Sequence, residues 1–206
     1  IAAAMDEATK LVFVCSPNNP TGNVMNANDI TNLCTTCDSR ALVVVDETYI
    51  EYAIDSGDAT SLIPELERFA NLVVLRTLSK SHAAAGLRCG CLVAASDVTS
   101  LMRKVLAPYP VPQPVISAAL TILANDNQRR LAAKRAETIA RRDEVMGKLA
   151  KIKDIIHVWP SDANFILIEA HDAAALCQRA LKGGVVLRNQ SHPVSYTHLR
   201  AHETIA

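Results

Sequence analysis

Ala41-Leu42-Val43-Val44-Val45-Asp46-Glu47-Thr48-Tyr49 is the stretch that decides the fold. Its first five residues are all apolar, three of them valine. Such a run reads as a strand covered on both faces, as in a parallel sheet, and the acidic pair ends it. Working outward, Leu11-Val12-Phe13-Val14-Cys15 is a second run of this kind, stopped by Ser16-Pro17, and it too reads as buried on both faces. Residues 72–76 and 89–94 supply a third and a fourth strand. Between them, 28–39 reads as a helix with Asn or Asp caps at its start, and 64–69 as a short helix. Strands alternating with helices predict an α/β domain built on a mainly parallel sheet.

The pattern changes after Ala94. Residues 97–105 read as helix, and Pro108, Pro110, Pro112 and Pro114 then break the chain. Two helical stretches follow, 115–124 and 127–152, with a break at Asn125-Asp126. Arg129, Arg130, Lys134, Arg135, Arg141 and Arg142 could be taken for a nucleic-acid stripe. Glu137, Asp143 and Glu144 interrupt them, which favours a solvated helix face. Strands are expected at 155–159, 163–168 and 185–188, and a helix at 173–182 stopped by Gly183-Gly184. This part reads as a small α+β C-terminal domain. Three of the six histidines (His192, His198, His202) fall near the end, where nothing continues the domain from Val194 onward. A foreign or disordered tail explains them better than a metal site, and no metal is expected. The division predicted is 1–110 for the sheet domain, 111–152 for a linking helical region, 153–193 for a partial small domain and 194–206 for the tail.

Twenty-one basic and 21 acidic side chains balance to zero net charge, which argues against a nucleic-acid or anionic-membrane surface. No apolar run reaches membrane-spanning length, and Ile1-Ala2-Ala3-Ala4 followed by Met5-Asp6-Glu7 is not a signal peptide. Without an initiator methionine, the start of translation is expected upstream. Of the six cysteines, Cys34 and Cys37 form the only CxxC. No second CxxC completes a zinc site, so two small side chains on one helix face are expected, in a reducing, cytoplasmic setting.

A parallel sheet places its ligand beyond the carboxyl ends of its strands. Asn19 follows the first strand, Asp46 ends the second, Lys80 follows the third, and Arg88 just precedes the fourth. Together these groups suit pyridoxal 5'-phosphate. Its aldehyde needs a lysine amine, which Lys80 offers both for an imine and, once released, as a base. Its ring nitrogen must stay protonated, and the Asp46 carboxylate can hold it so. An opposite charge at 4 Å is worth roughly 4 kcal/mol at an effective dielectric of 20. Tyr49 and Asn19 can hydrogen-bond the ring oxygen, while Thr77, Ser79 and Arg88 suit a phosphate. Taken singly, Asp46 could be a cap, Lys80 a surface lysine and Tyr49 a packing aromatic. A rival reading makes Asp46-Glu47 the magnesium site of a nucleotide hydrolase, although no GxxxxGK[ST] loop is present.

Several segments carry a family resemblance: Ser16-Pro17-Asn18-Asn19-Pro20-Thr21-Gly22, Val45-Asp46-Glu47-Thr48-Tyr49, Leu75-Arg76-Thr77-Leu78-Ser79-Lys80 and Ala85-Gly86-Leu87-Arg88. At these the chain resembles the fold-type I aminotransferases. Ala107-Pro108-Tyr109-Pro110, Ser161-Asp162-Ala163-Asn164-Phe165 and Leu187-Arg188-Asn189-Gln190 point more narrowly to the histidinol-phosphate aminotransferase branch. The resemblance runs from about Lys10 to about Gln190. It implies that Lys80 carries the cofactor, Asp46 pairs with its ring nitrogen, Tyr49 and Asn19 meet the ring oxygen, and Ser79 and Arg88 hold the phosphate. It further implies that Asn19 and Arg188 contact substrate. The implied reaction moves an amino group from histidinol phosphate to 2-oxoglutarate, a small-molecule donor and a 2-oxo acid acceptor. The implied setting is a cytoplasmic homodimer acting in histidine biosynthesis.

The family's amino-terminal portion, with a glycine-containing phosphate loop, a ring-stacking aromatic and a tyrosine from the neighbouring subunit, has no counterpart here. Leu199-Arg200 echoes a substrate-carboxylate arginine without matching surroundings, and Arg200 is not assigned. The chain is therefore expected to be an internal piece that does not transaminate alone. Another fold-type I enzyme (an amino-acid aminotransferase, decarboxylase or carbon–sulfur lyase) would use the same lysine and aspartate. A truncated remnant would keep these residues without activity.

Overall fold

The computed structural model describes residues 1–191 and the backbone of 198–201. Its first sheet runs β1 (Leu11–Cys15), β2 (Leu42–Asp46), β3 (Leu72–Thr77) and β4 (Gly90–Ala94), in that spatial order. The first three strands are parallel and β4 is antiparallel to β3. The antiparallel turn matters for the site, because it starts β4 at the same edge where β3 ends. Helix α1 (Ala27–Cys37) crosses between β1 and β2, and the Asn26 side chain caps it by accepting from Asn28 N. Ile30, Leu33, Cys34 and Cys37 form its buried stripe, packed on Val12, Val14, Val43, Val45, Leu72 and Val74. The CxxC thus lies in the hydrophobic core, where burial pushes the Cys34 thiol up to about 11.

One expectation fails at β1. Val12 and Val14 are buried, but Leu11 is 52% and Phe13 65% exposed. Among the described residues β1 is an edge strand, and only its α1 face is covered. β2 lies between two strands and is covered on both faces, as its unbroken apolar run predicts. The expected helix at 64–69 is a 3-10 turn at Ile63–Glu67.

Helix α2 (Ile50–Ser56) follows directly from β2 and ends on Gly57 at φ +86°, whose N–H returns to Ala53 and Ile54 carbonyls. Beyond β4 come α3 (Ser96–Val105), α4 (Gln113–Leu123) and the long α5 (Asn125–Leu149). Ala124, with ψ 145°, separates the last two. Exposed charges on α5 pair locally, Lys134 and Arg141 with Glu137 and Lys148 with Glu144, as a solvated face does.

The second sheet comprises β5 (Ile155–Val158), β6 (Leu167–Ala170), β7 (Leu187–Asn189) and β8 (His198–Ala201), all antiparallel in the order β5-β6-β8-β7. Helix α6 (Ala173–Lys182), capped by Asp172, packs on it. The strand expected at 163–168 begins later. Ser161 Oγ donates to Phe165 O at 2.6 Å and accepts from Ala163 N at 3.2 Å. These local bonds consume groups that a ladder would need. β7 also starts late, because Val185 N still closes the helix end on Ala180 O. The tail expected from Val194 lies outside the described residues except at 198–201. There the backbone differs from that expectation, since β8 fills the space between β6 and β7 and supplies the hydrogen bonds that neither could make to the other. The histidine side chains of the tail lie outside the described residues.

Candidate active site

The carboxyl ends of β1, β2 and β3 lie side by side. Cys15 is in register with Asp46, and Asp46 with Leu75. The backbone continues this alignment, with Ser16 N donating to Asp46 O at 3.0 Å and Glu47 N to Leu75 O at 3.0 Å. The three segments singled out in the sequence therefore leave the sheet at one edge.

Asn19 and Tyr49, thirty residues apart in sequence, meet there. Asn19 Nδ2 donates to Tyr49 Oη at 3.3 Å. The buried Tyr49 ring takes Phe165 edge-on, with centroids 5.1 Å apart. Lys80 Nζ lies 5.5 Å from the centroid of the same ring, an arrangement worth about 0.5–1 kcal/mol where solvent reaches the amine. Asp46 Oδ1 accepts from Thr48 N at 2.9 Å and from the Thr48 hydroxyl, so its carboxylate is held at the strand end. The thiol of Cys15, opposite it, is pushed up by burial and then by the Asp46 charge.

Thr77 and Ser79 form a second group. The Thr77 hydroxyl donates to Ser79 Oγ at 2.8 Å and accepts from Ser79 N at 3.1 Å, which folds the loop that presents Lys80. Arg88 sits in the left-handed region at φ +53°, exposed, with its guanidinium on Ala85 O at 2.9 Å. Arg188 is on the other sheet, exposed on β7. Asn19, Tyr49 and Lys80 are thus brought together, and Thr77 pairs with Ser79. Asp46 shares their sheet edge, while Arg88 and Arg188 are committed to neither group.

The second half of the chain reaches this site through 161–165. Asp162 N donates to Gly22 O at 2.8 Å, and Asp162 Oδ2 accepts from Val24 N at 2.9 Å. Gly22 has φ +82°, and a Cβ there would lie 2.8 Å from Ser161 Cβ and nearer still to its hydroxyl. Only glycine admits this approach, which holds the loop carrying Asn19. Phe165, edge-on to Tyr49, was not singled out from the sequence as a site residue. Its place beside Ala163, both packed with Tyr49 and Tyr52, is a tertiary fact.

Glu47 argues against the nucleotide-hydrolase reading. It is 1% exposed, and its carboxylate accepts from Leu62 N and Ser61 Oγ, each at 2.7 Å, and from Arg76 Nη1 at 3.2 Å. It faces the core side of the sheet, away from Asp46. Among the described residues, no group of three or more His, Cys, Asp or Glu is placed to hold a metal. No helix among them is long and apolar enough to cross a membrane.

Comparison with known proteins agrees with this arrangement. Residues 1–202 match the family described as aminotransferase class I and II. The chain is 44% identical over 182 residues to histidinol-phosphate aminotransferase 2 of Idiomarina loihiensis, covering 88% of the chain and 49% of that protein. It superposes with TM-score 0.79 on histidinol-phosphate aminotransferase from Sinorhizobium meliloti in complex with pyridoxal-5'-phosphate, at 23% identity, over 93% of this chain and 52% of that one. The L-threonine-O-3-phosphate decarboxylase of Porphyromonas gingivalis shares the fold with TM-score 0.83 at 20% identity, over 98% of this chain and 62% of that one. The chain spans about half the length of the curated relatives it matches. By this match, and by the sheet edge that gathers its lysine, tyrosine and asparagine, the chain belongs to the aminotransferase class I and II family.

Proposed function

We propose that this chain is the central part of a pyridoxal-phosphate-dependent transaminase. Its preferred donor is histidinol phosphate and its acceptor 2-oxoglutarate, in histidine biosynthesis. The observation that carries the reading is the convergence of Lys80, Tyr49 and Asn19 at the edge where Asp46 ends β2. The donor set fits the cofactor: an amine over an aromatic face, a phenol paired with an amide, a carboxylate fixed through one oxygen, and two linked hydroxyls. When bound, pyridoxal phosphate supplies an electron sink for the carbon that bears the amino group. The chain's own residues do the rest. Lys80 Nζ holds the cofactor and, when free, carries the proton to and from the reacting carbon. Asp46 keeps a proton on the ring nitrogen by charge. Tyr49, steadied by Asn19, donates toward the ring oxygen. Thr77 and Ser79 offer hydroxyls to the phosphate, and Arg88 offers charge once its bond to Ala85 is exchanged. Arg188 is assigned to an anionic group of the substrate, with Asn19 lining the same space.

The donor choice is supported by identities of 36–44% to relatives named histidinol-phosphate aminotransferase. The proposed division is a cofactor domain in 1–110, a helical linker in 111–152 and a partial small domain in 153–193. The intact protein is proposed to be a cytoplasmic homodimer, and the 206-residue chain alone to be inactive, because it spans half of its relatives.

The test uses the full-length protein that contains this chain. Lys80→Ala is expected to abolish the visible absorption of lysine-bound cofactor and to cut turnover by at least roughly 10²-fold. Undiminished turnover would refute the reading. Mass spectrometry of the amino donor separates transfer from decarboxylation or lysis.

A further inference from the structure

Two strands of the first sheet lose their apolar pattern at the same level. On β2 the core-facing residues are Val43 and Val45, and the next on that side is Glu47. On β3 they are Leu72 and Val74, and the next is Arg76. Where two more hydrophobes would extend the core, the chain places a charge pair instead. Arg76 Nη1 donates to Glu47 Oε2 at 3.2 Å, and its other terminal nitrogen pairs with Glu51 of α2. Ser61 and the Leu62 amide complete the shell of Glu47. Burial pushes the Glu47 carboxyl up, the Leu62, Ser61 and Arg76 donors pull it down, and the Glu51 charge pushes it up again.

These residues straddle the site. Glu47 and Glu51 flank Tyr49, with Glu47 directly after Asp46, while Arg76 precedes Thr77, Ser79 and Lys80. Glu51 spends one oxygen on Arg76, and the other is buried without a partner, as is Arg135 Nη1. Both line a cavity of 460 Å³ with Arg76 and His82, and among the described residues Arg76 is the ion-pair partner of the Glu51 carboxylate, which it loses once Arg76 is gone. Glu47 and Glu51 would then repel each other across the turn that carries Tyr49.

We propose that Arg76 is a positioning residue: by bridging Glu47 and Glu51 it sets the separation between the Lys80 amine and the Asp46–Tyr49 turn. The inference rests on the transaminase reading. A guanidinium suits the task because its planar fork reaches two carboxylates in fixed directions, which the point charge of lysine cannot.

The experiment compares Arg76→Met, Arg76→Lys and Arg76→Met/Glu51→Gln in the full-length protein. Three quantities are measured: affinity of the cofactor-free protein for pyridoxal phosphate, the pH midpoint of the visible band, and the melting temperature of the cofactor-free form. Arg76→Met is expected to weaken cofactor binding about tenfold and to move the midpoint, as a misplaced amine would. Arg76→Lys should recover part of the melting temperature and little of the midpoint. The double variant, which removes the repulsion, should recover melting temperature but not the midpoint. If Arg76→Met lowers only the melting temperature, with affinity within about twofold and the midpoint unmoved, the residue is merely structural and the inference fails. Should Arg76→Met not fold, Arg76→Lys decides by the same readouts. A wild-type protein with no visible band that depends on Lys80 would overturn the transaminase reading as well, which separates the two failures.

Discussion

Gly22 shows how much can depend on one residue. Its φ of +82° and its approach to Ser161 exclude any side chain. Gly22→Ala should cost about 1–2 kcal/mol for the left-handed backbone alone, with the contact to Ser161 adding to it. A lowered denaturation midpoint in urea would show the loss, and an unchanged midpoint would mean that the loop does not seat on 161–165 as described. His82 makes a second prediction at this scale. Burial pushes its pKa below 6.5, the Arg135 and Arg76 charges act in the same direction, and Glu51 and Gln128 oppose them. A base whose folded pKa is depressed binds fewer protons folded than unfolded. Its stabilising share is present above pH 6.5 and is lost as the pH falls below it. Replacing His82 with Gln should flatten the fall of stability between pH 6.5 and pH 5, measured as melting temperature against the wild type.

Among the elements, β1 carries a clear liability. Leu11 and Phe13 lie exposed on a strand that is at the sheet edge among the described residues, a surface open to pairing with other chains. Phe13→Lys in this chain should raise the soluble monomer fraction, read by light scattering, with little effect on α1, which packs on the opposite face through Val12 and Val14. The apolar run of 11–15 gave no warning of this, because a run says that both faces of a strand suit burial and not which face a neighbour covers. The same sequence signal was correct for β2, which has strands on either side. Helix ends followed local chemistry closely. Asn26 and Asp172 cap α1 and α6, and Gly183 closes α6, each beside a boundary that the sequence pattern predicted, whereas α2, closed by Gly57, was not expected from the sequence.

In the whole molecule, the segment 161–165 couples the first sheet to the rest of the chain. Asp162 joins residues 138 apart through Val24 N, and Arg142 Nη1 on α5 donates to Ala163 O at 3.0 Å. Asp162→Ala should leave the Val24 amide without its acceptor, at a cost of about 1–3 kcal/mol. Hydrogen exchange would then quicken across 18–25 before it quickens in β2. Exchange unchanged in that loop would show that the two parts hold together by other means.

Alone, the sequence determined the order and kind of most elements and the placing of Asn19, Asp46 and Lys80 at strand ends. Those follow from short-range periodicity and from the rule that parallel strands present their carboxyl ends to one crevice. Only the tertiary structure decided that β1 has an open face, that Phe165 meets Tyr49 edge-on, that Gly22 admits Ser161, and that Glu47 turns to Arg76, Ser61 and the Leu62 amide. Each of these depends on groups brought together from distant parts of the chain, and no local pattern records which distant partner fills a given space or neutralises a given charge.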